Sequence, residues 1–143
     1  MDQPCAVSPI ASRHYSITLA DALTAHDWAL SFGGLSGIRD QGAIESAITR
    51  PYLGYYRSIE TKAAALAQSV ATNHGFIDGN KRTALILLFL LIKRSGYSMV
   101  PLQDEDANRA LEHLILGIVE HKMSQQQVIE WFRKRLHRRK LKR

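Results

Sequence analysis

The chain has a single cysteine, Cys5, among its 143 residues. It can form no disulfide within itself and offers no cysteine cluster for zinc. Such usage fits a reducing compartment, and a cytoplasmic location is expected. Long apolar runs are also missing. The longest, Ala84 to Ile92 between Arg82 and Lys93, has nine residues, against the roughly 20 that a spanning helix needs. A buried helix is expected there, and no membrane partner. The opening MDQPCAVSPIAS has no basic start and no continuous apolar core, so it does not read as a secretory signal. No segment alternates with the period of a strand, and there is no internal repeat or linker. Neither a G-x-x-x-x-G-K-[S/T] phosphate loop nor an H-E-x-x-H zinc helix occurs. Acids are absent from Arg133 to Arg143, where eight residues are Lys or Arg. The net charge of +6 rests on that segment, since the remainder carries −2.

The rest has the composition of an ordinary globular domain, 45% apolar and 22% charged. Thr18 is placed to cap a helix in which Leu19, Leu23, His26 and Leu30 share a face. GGLSGIRD, Gly33 to Asp40, is a turn-rich break, and Asp40 caps a second helix that must end by Arg50, before Pro51. Pro51, Tyr52, Leu53, Gly54, Tyr55, Tyr56, Arg57 and Ser58 show no period and read as an exposed connection or a short hairpin. TKAAALAQSVATN is an alanine-rich helix ending near Asn73. NKRTALILLFLLIKRS is apolar almost all round and should be central, with Gly96 closing it. Ala107, Ala110, Leu111, Leu114, Ile115, Ile118 and Val119 stripe a further helix, and Ser124 with Gln127 forms a capping box for the last. The fold class is therefore all-α, with six or seven helices in one domain over residues 1–132 and a basic tail over residues 133–143.

Between two of these helices stands NHGFIDGNKRTA, Asn73 to Ala84. Gly75 and Gly79 permit close backbone approach by a ligand. Amides around Gly79, Asn80 and Lys81 begin a helix, where they lack intrahelical partners and suit an anion. Lys81 and Arg82 oppose the helix dipole by about 0.3–1 kcal/mol, a penalty that an anionic ligand would reverse. Arg82 can grip two phosphate oxygens, and Lys81 acts as a point charge. Asp78 offers the hard oxygen that Mg²⁺ prefers when it is shared with phosphates. His74 can take a proton from a hydroxyl. Phe76 should point inward and anchor the loop. Each residue also has a plain structural account: Asp78 as a cap, His74 as a helix end, the bases as solvated charges. Only the combination in one loop singles the stretch out.

HGFIDGNKR resembles the Fic/Doc (Fido) motif H-x-F-x-[D/E]-[G/A]-N-[G/K]-R. LTAHDWALSFGGLSGIRDQGAIESAITRP resembles the N-terminal part of Doc-type, "death on curing" proteins, and KAAALAQSVATN and RTALILLFLLIKRSGY resemble the helices flanking their motif. The resemblance covers about residues 17 to 97. It implies a compact Fido-type helical domain and transfer of part of a nucleoside triphosphate, ATP or another, to a protein hydroxyl. By that resemblance His74 is the catalytic base and Phe76 is structural. Asp78 holds Mg²⁺, Gly79, Asn80 and Lys81 form an anion hole, and Arg82 holds phosphate. Pro51 to Ser58 stands where the family has a target-docking flap. The motif is mixed. AMP-transferring Fic enzymes usually carry glycine where Lys81 stands, the phosphorylating Doc toxin carries lysine there, and Doc has alanine in place of Gly79.

The resemblance further implies a toxin acting on a translation component such as elongation factor Tu and restrained by a separate antitoxin chain. The family's internal inhibitory pattern, [S/T]-x-x-x-E-[G/N], is absent, since none of Glu45, Glu60, Glu105, Glu112, Glu120 or Glu130 has Ser or Thr four residues earlier. Phosphoryl transfer is expected, with AMP transfer as one alternative and a non-catalytic binding module acting through the tail as another. The run Arg133 to Arg143 could bind nucleic acid nonspecifically. It lacks a recognition motif and aromatic interleaving, so a solvated, frayed helix end is the preferred reading. His113 and His121 read as surface residues, and His26 as part of a packing or polar network.

Overall fold

A computed structural model describes residues 14–140. Cys5, and residues 141–143 of the basic end, lie outside that range. Six α-helices carry the fold: α1 (Leu19–Leu30), α2 (Gln41–Thr49), α3 (Ile59–Thr72), α4 (Asn80–Arg94), α5 (Ala107–Val119) and α6 (Gln125–Arg135). A short 3₁₀ turn (Arg50–Tyr52) follows α2, and strands β1 (Tyr97–Met99) and β2 (Leu136–Arg138) are the remaining elements among the described residues. No helix among the described residues is long and apolar enough to cross a membrane.

The starts of five helices follow from side chains that spend an otherwise orphaned amide. Thr18 caps α1 in a capping box with Asp21. Asp40 caps α2, Ser58 caps α3 and Asp106 caps α5. Ser124 and Gln127 form the box at α6. Among the described residues, helix α4 alone begins without a side-chain cap; its first flanking residue is Gly79, in the left-handed region at φ 79°.

The centre of the core is α3 rather than the more apolar α4. Ten of the fourteen residues of α3 are buried, and it packs against α2, α4, α5 and α6. Ala63, Ala64, Ala65 and Ala67 are fully buried, and their small side chains let neighbouring helices approach from every side. Six of the fifteen residues of α4 are buried, and Phe89 is left exposed. Overall apolarity therefore did not identify the central helix; side-chain size did.

Two expectations are corrected here. The segment Pro51 to Ser58 forms no hairpin. It is the end of the 3₁₀ turn followed by a second turn, closed by Tyr56 N–H donating to the Leu53 carbonyl at 3.0 Å. Its ends are tied down: Pro51 is buried, and the Tyr52 hydroxyl accepts from the Ile17 amide and donates to the Tyr15 carbonyl. Burial pushes the Tyr52 phenol up to about 12.

Nor does the chain fray at Arg133. Helix α6 continues to Arg135, and β2 pairs antiparallel with β1 in the register Tyr97↔Arg138, Ser98↔His137 and Met99↔Leu136. Leu136 joins the core. Arg135 is buried, donates from Nε to Glu105 Oε1 at 2.9 Å and from Nη2 to Glu105 Oε2, and lies 4.0 Å over the Trp131 ring. The side chains of Arg133, Lys134 and His137 to Lys140 are exposed, as expected. The frayed-end reading fails from Arg135 to Arg139, because Arg135 and Leu136 find distant partners, His137 and Arg138 pair with β1, and Arg139 bonds to the Gly96 and Lys93 carbonyls.

Candidate active site

The loop between α3 and α4 is built on backbone pairing. Gly37 to Asp40 runs beside Gly75 to Ile77: the Arg39 and Asp40 amides donate to the Gly75 carbonyl, and the Ile77 amide donates to the Gly37 carbonyl. Phe76 points inward as expected, 3% exposed and part of the core. Asn80 clamps it from the start of α4, its Oδ1 accepting from Phe76 N–H at 3.1 Å and its Nδ2 donating to the Phe76 carbonyl at 2.9 Å. The Asn80 side chain thus shapes the loop, and what it can offer an anion is its backbone amide.

His74 follows the end of α3 and turns the chain through the left-handed region, at φ 52°. That position usually takes glycine, and a side chain there costs about 1 kcal/mol or more. The imidazole is exposed, and the His74 carbonyl accepts from Arg39 Nη1 at 3.3 Å. Gly75, Phe76, Ile77 and Asn80 are held by these bonds while His74 stands out from them.

His74, Asp78, Gly79, Asn80, Lys81 and Arg82 line one pocket of about 630 Å³, within the ~300–1,000 Å³ usual for small-molecule sites. Its other wall comes from Phe32, Gly33 and Gly34, in the turn-rich break after α1. Sequence reading treated that break only as punctuation. Its role rests on close approach. Gly34 has φ 122°, and a Cβ on it would stand 3.0 Å from Asp78 Oδ2, so a larger residue would push into the carboxylate. Arg82 reaches across the pocket, with Nη1 3.4 Å from the Gly33 carbonyl and its guanidinium 5.6 Å from the Phe32 ring centre.

Asp78 is the pocket's carboxylate. Its Oδ2 accepts from Leu35 N–H at 3.0 Å and its Oδ1 from Gly79 N–H at 2.8 Å. The Leu35 amide, then the Gly79 amide, with a smaller contribution from the Arg82 charge, hold its carboxyl below the usual carboxylate range. Each oxygen keeps a further acceptor site, and the side chain is exposed. No group of three or more His, Cys, Asp or Glu forms a metal cage among the described residues. One hard carboxylate beside phosphate donors suits Mg²⁺, which keeps most of its shell for water and phosphate.

Two further placements complete the comparison with the sequence. The segment Pro51 to Ser58 does not line this pocket; Leu53, Tyr55 and Tyr56 border a separate groove of about 670 Å³ with Glu45, Ser46, Thr49 and Arg50. Ser58 is the cap of α3. His26, for which the sequence offered only a packing or polar-network role, is buried under the loop with Nε2 2.8 Å from the Asp78 carbonyl. His113 and His121 are exposed, as expected, though His121 lies beyond the end of α5.

Residues 16–92 match the Fic/DOC family, a span that holds the whole loop, all of α3 and all but the last two residues of α4. The protein named Toxin Doc from Mycolicibacterium smegmatis is 38% identical over 95 residues, which cover 63% of this chain and 70% of that protein. By pocket, motif and match together, the chain belongs to the Fic/DOC family.

Proposed function

We propose that this protein is a Doc-like toxin that transfers the γ-phosphoryl group of ATP to a Ser or Thr hydroxyl of a protein. One observation carries the reading: α4, the one α-helix among the described residues that starts without a side-chain cap, opens into the pocket that His74 overlooks, with Lys81 and Arg82 in its first turn. The Asn80 and Lys81 amides, a helix N-terminus and two cations converge on the space where phosphates would lie. Arg82 grips phosphate oxygens and Lys81 adds a point charge. Asn80 and Lys81 contribute backbone amides, and Gly79 would add its own once that amide leaves Asp78 Oδ1. His74 takes the proton as the target hydroxyl attacks phosphorus; the bond from phosphorus to the bridging oxygen breaks, and ADP leaves. Mg²⁺ held by Asp78 would neutralise phosphate charge.

The choice between phosphoryl and AMP transfer turns on Lys81 and Gly79. Lys81 fills space that glycine would leave open and holds the outer phosphates, which favours presentation of the γ-phosphorus. Gly79 has a Fic-like identity, but a Cβ there would face the Cδ2 and Nε2 atoms of His26 at 3.6 Å and Ala29 at 3.8 Å. It would point into the protein and not into the pocket. The difference from alanine at this position therefore says little about pocket volume, and this supports the Doc-like reading. With ATP labelled separately at α and γ, γ-label should pass to the target. Passage of α-label would establish AMP transfer instead, and Lys81→Gly should move the balance that way or abolish activity.

The exposed apex of Pro51 to Ser58, where Tyr55 is 81% exposed, supports a docking role for the target chain, by backbone pairing once that chain arrives. A translation component such as elongation factor Tu in the cytoplasm is the proposed target, and a separate antitoxin chain the proposed restraint. Expression without that partner should slow bacterial growth in a His74-dependent way. Harmless overexpression of folded protein would count against the toxin reading. A purely non-catalytic module acting through the basic end is disfavoured, because Arg135 is already committed to Glu105.

A further inference from the structure

His26 lies on α1, 52 residues before the carbonyl it touches. It is 5% exposed. Its ring is stacked on Phe76, with centroids 3.8 Å apart and planes 7° apart. Its Nε2 is 2.8 Å from the Asp78 carbonyl oxygen. A carbonyl oxygen only accepts, so Nε2 carries the proton in this contact.

That carbonyl belongs to the peptide joining Asp78 to Gly79. The amide on the other side of the same peptide donates to Asp78 Oδ1 at 2.8 Å. One planar unit is thus held on its oxygen side by His26 and on its nitrogen side by the Asp78 carboxylate. A Cβ on Gly79 would meet the imidazole edge at an ordinary 3.6 Å, so it is the φ of 79° that suits glycine here. If the peptide rotates, the Gly79 amide swings away from its place at the start of α4. The Asp78 carboxylate then shifts with it, and its contact with Leu35 N–H is disturbed.

We infer that His26 is a positioning residue: its Nε2–H sets the orientation of the Asp78–Gly79 peptide, and through it both the carboxylate and the first amide of the phosphate site. The stack on Phe76 holds the ring level, so the donor can meet the carbonyl. His26 never touches substrate. This assignment rests on the proposed transfer reaction for its kinetic consequence and on hydrogen bonding alone for its structural one.

Two variants separate the donor from the ring. His26→Phe keeps an aromatic stack and removes the N–H; His26→Gln removes the stack and keeps a side-chain N–H at similar reach. Misplacing reacting groups by a fraction of an ångström to about 1 Å costs roughly 10–100-fold in turnover. His26→Phe should lose that much kcat, with ATP affinity largely retained through Arg82, and His26→Gln should recover most of it. Amide hydrogen exchange reads the same geometry without catalysis. The Leu35 amide, which donates to Asp78 Oδ2, should exchange about tenfold faster in His26→Phe and near the wild-type rate in His26→Gln. Full activity in His26→Phe, or loss in both variants, would overturn the assignment and leave His26 as core packing. If the wild-type protein transfers no label at all, the proposed reaction fails, and the exchange of Leu35 still decides the role of His26.

Discussion

Two basic clusters dominate the chain, one at Lys81 and Arg82 and one from Arg133 onward, and the fold treats them in opposite ways. At the first, neighbouring backbone is fixed by five contacts among Gly37, Arg39, Asp40, Gly75, Phe76, Ile77 and Asn80, while the cations themselves are exposed. Lys81 makes no hydrogen bond to a described residue, and Arg82 has one long contact, to the Gly33 carbonyl at 3.4 Å. At the second, the side chain is what is fixed. Arg135 is buried, held by a two-point bond to Glu105 and a carbonyl, and covers an aromatic ring. A charge with its bonding capacity left open, on a rigid backbone, can serve a ligand. A charge whose every nitrogen is engaged serves the fold.

The largest effect should come from the site that spends stability on exposure. Replacing His74 by alanine should lower label transfer by about 10²–10⁴-fold, roughly 3–5 kcal/mol in barrier at 1.36 kcal/mol per decade, while ATP binding and thermal midpoint stay close to wild type. His74→Gly should lose transfer equally and gain about 0.5–1 kcal/mol of stability, because φ 52° suits glycine. Undiminished transfer in either variant would remove His74 from the chemistry.

A comparable effect, on folding instead of turnover, is expected at the other cluster. A chain ending before Arg133 loses Arg135, the core residue Leu136 and the strand opposite β1. Burial of one leucine side chain alone contributes about 1.5–3 kcal/mol, so the thermal midpoint should fall markedly. An unchanged melting curve would mean that the basic end is a solvated appendage after all.

The Glu105–Arg135 bond can be sharpened by pH. Arg135 chiefly, with help from the Leu102 amide, holds the Glu105 carboxyl at about 2, below its ordinary 4.5. A carboxylate with a depressed folded-state value stabilises the fold above its unfolded value and loses that contribution as pH falls toward the folded one. The stability difference between wild type and Glu105→Gln should therefore be full above about pH 5 and should shrink towards pH 2. A pH-independent difference would show that the pair acts by packing alone.

Much of this contrast could be read from the sequence, and the limits are physical. Thr18, Asp40 and the Ser124–Gln127 box were legible because a cap and its helix are adjacent in sequence. That His74 and Asp78 to Arg82 share one pocket was legible because a loop at a helix start keeps its residues contiguous. What escaped depends on distant contacts. Gly33 and Gly34 form a wall of the pocket through Asp78, more than forty residues away. His26 acts across 52 residues. Strands β1 and β2 are three residues each, too short to show a period of two, and Leu136 is hidden inside a run of charge. Apolarity pointed to α4 as the centre, whereas the alanines of α3 occupy it, because hydropathy alone does not register how closely helices can approach.

The smallest predicted effect tests the comparison by sign. Lys81 stands in the first turn of α4 and Lys134 in the last turn of α6, both exposed. The partial positive charge at a helix N-terminus disfavours a cation, and the partial negative charge at a C-terminus favours one, each by about 0.3–1 kcal/mol at low salt. Lys81→Gln should therefore raise the stability of the ligand-free protein by a few tenths of a kcal/mol, and Lys134→Gln should lower it by a similar amount. Both shifts should fade in about 1 M salt, where the screening length is only ~3 Å. ATP should reverse the order. With nucleotide present, Lys81 gains its partner, so the wild-type protein should be stabilised more by ATP than Lys81→Gln is, while Lys134→Gln should respond as wild type does. Equal ATP-induced shifts for wild type and Lys81→Gln would show that Lys81 is an ordinary solvated charge, and would take the phosphate-site reading of the first turn back to Arg82 and the backbone amides alone.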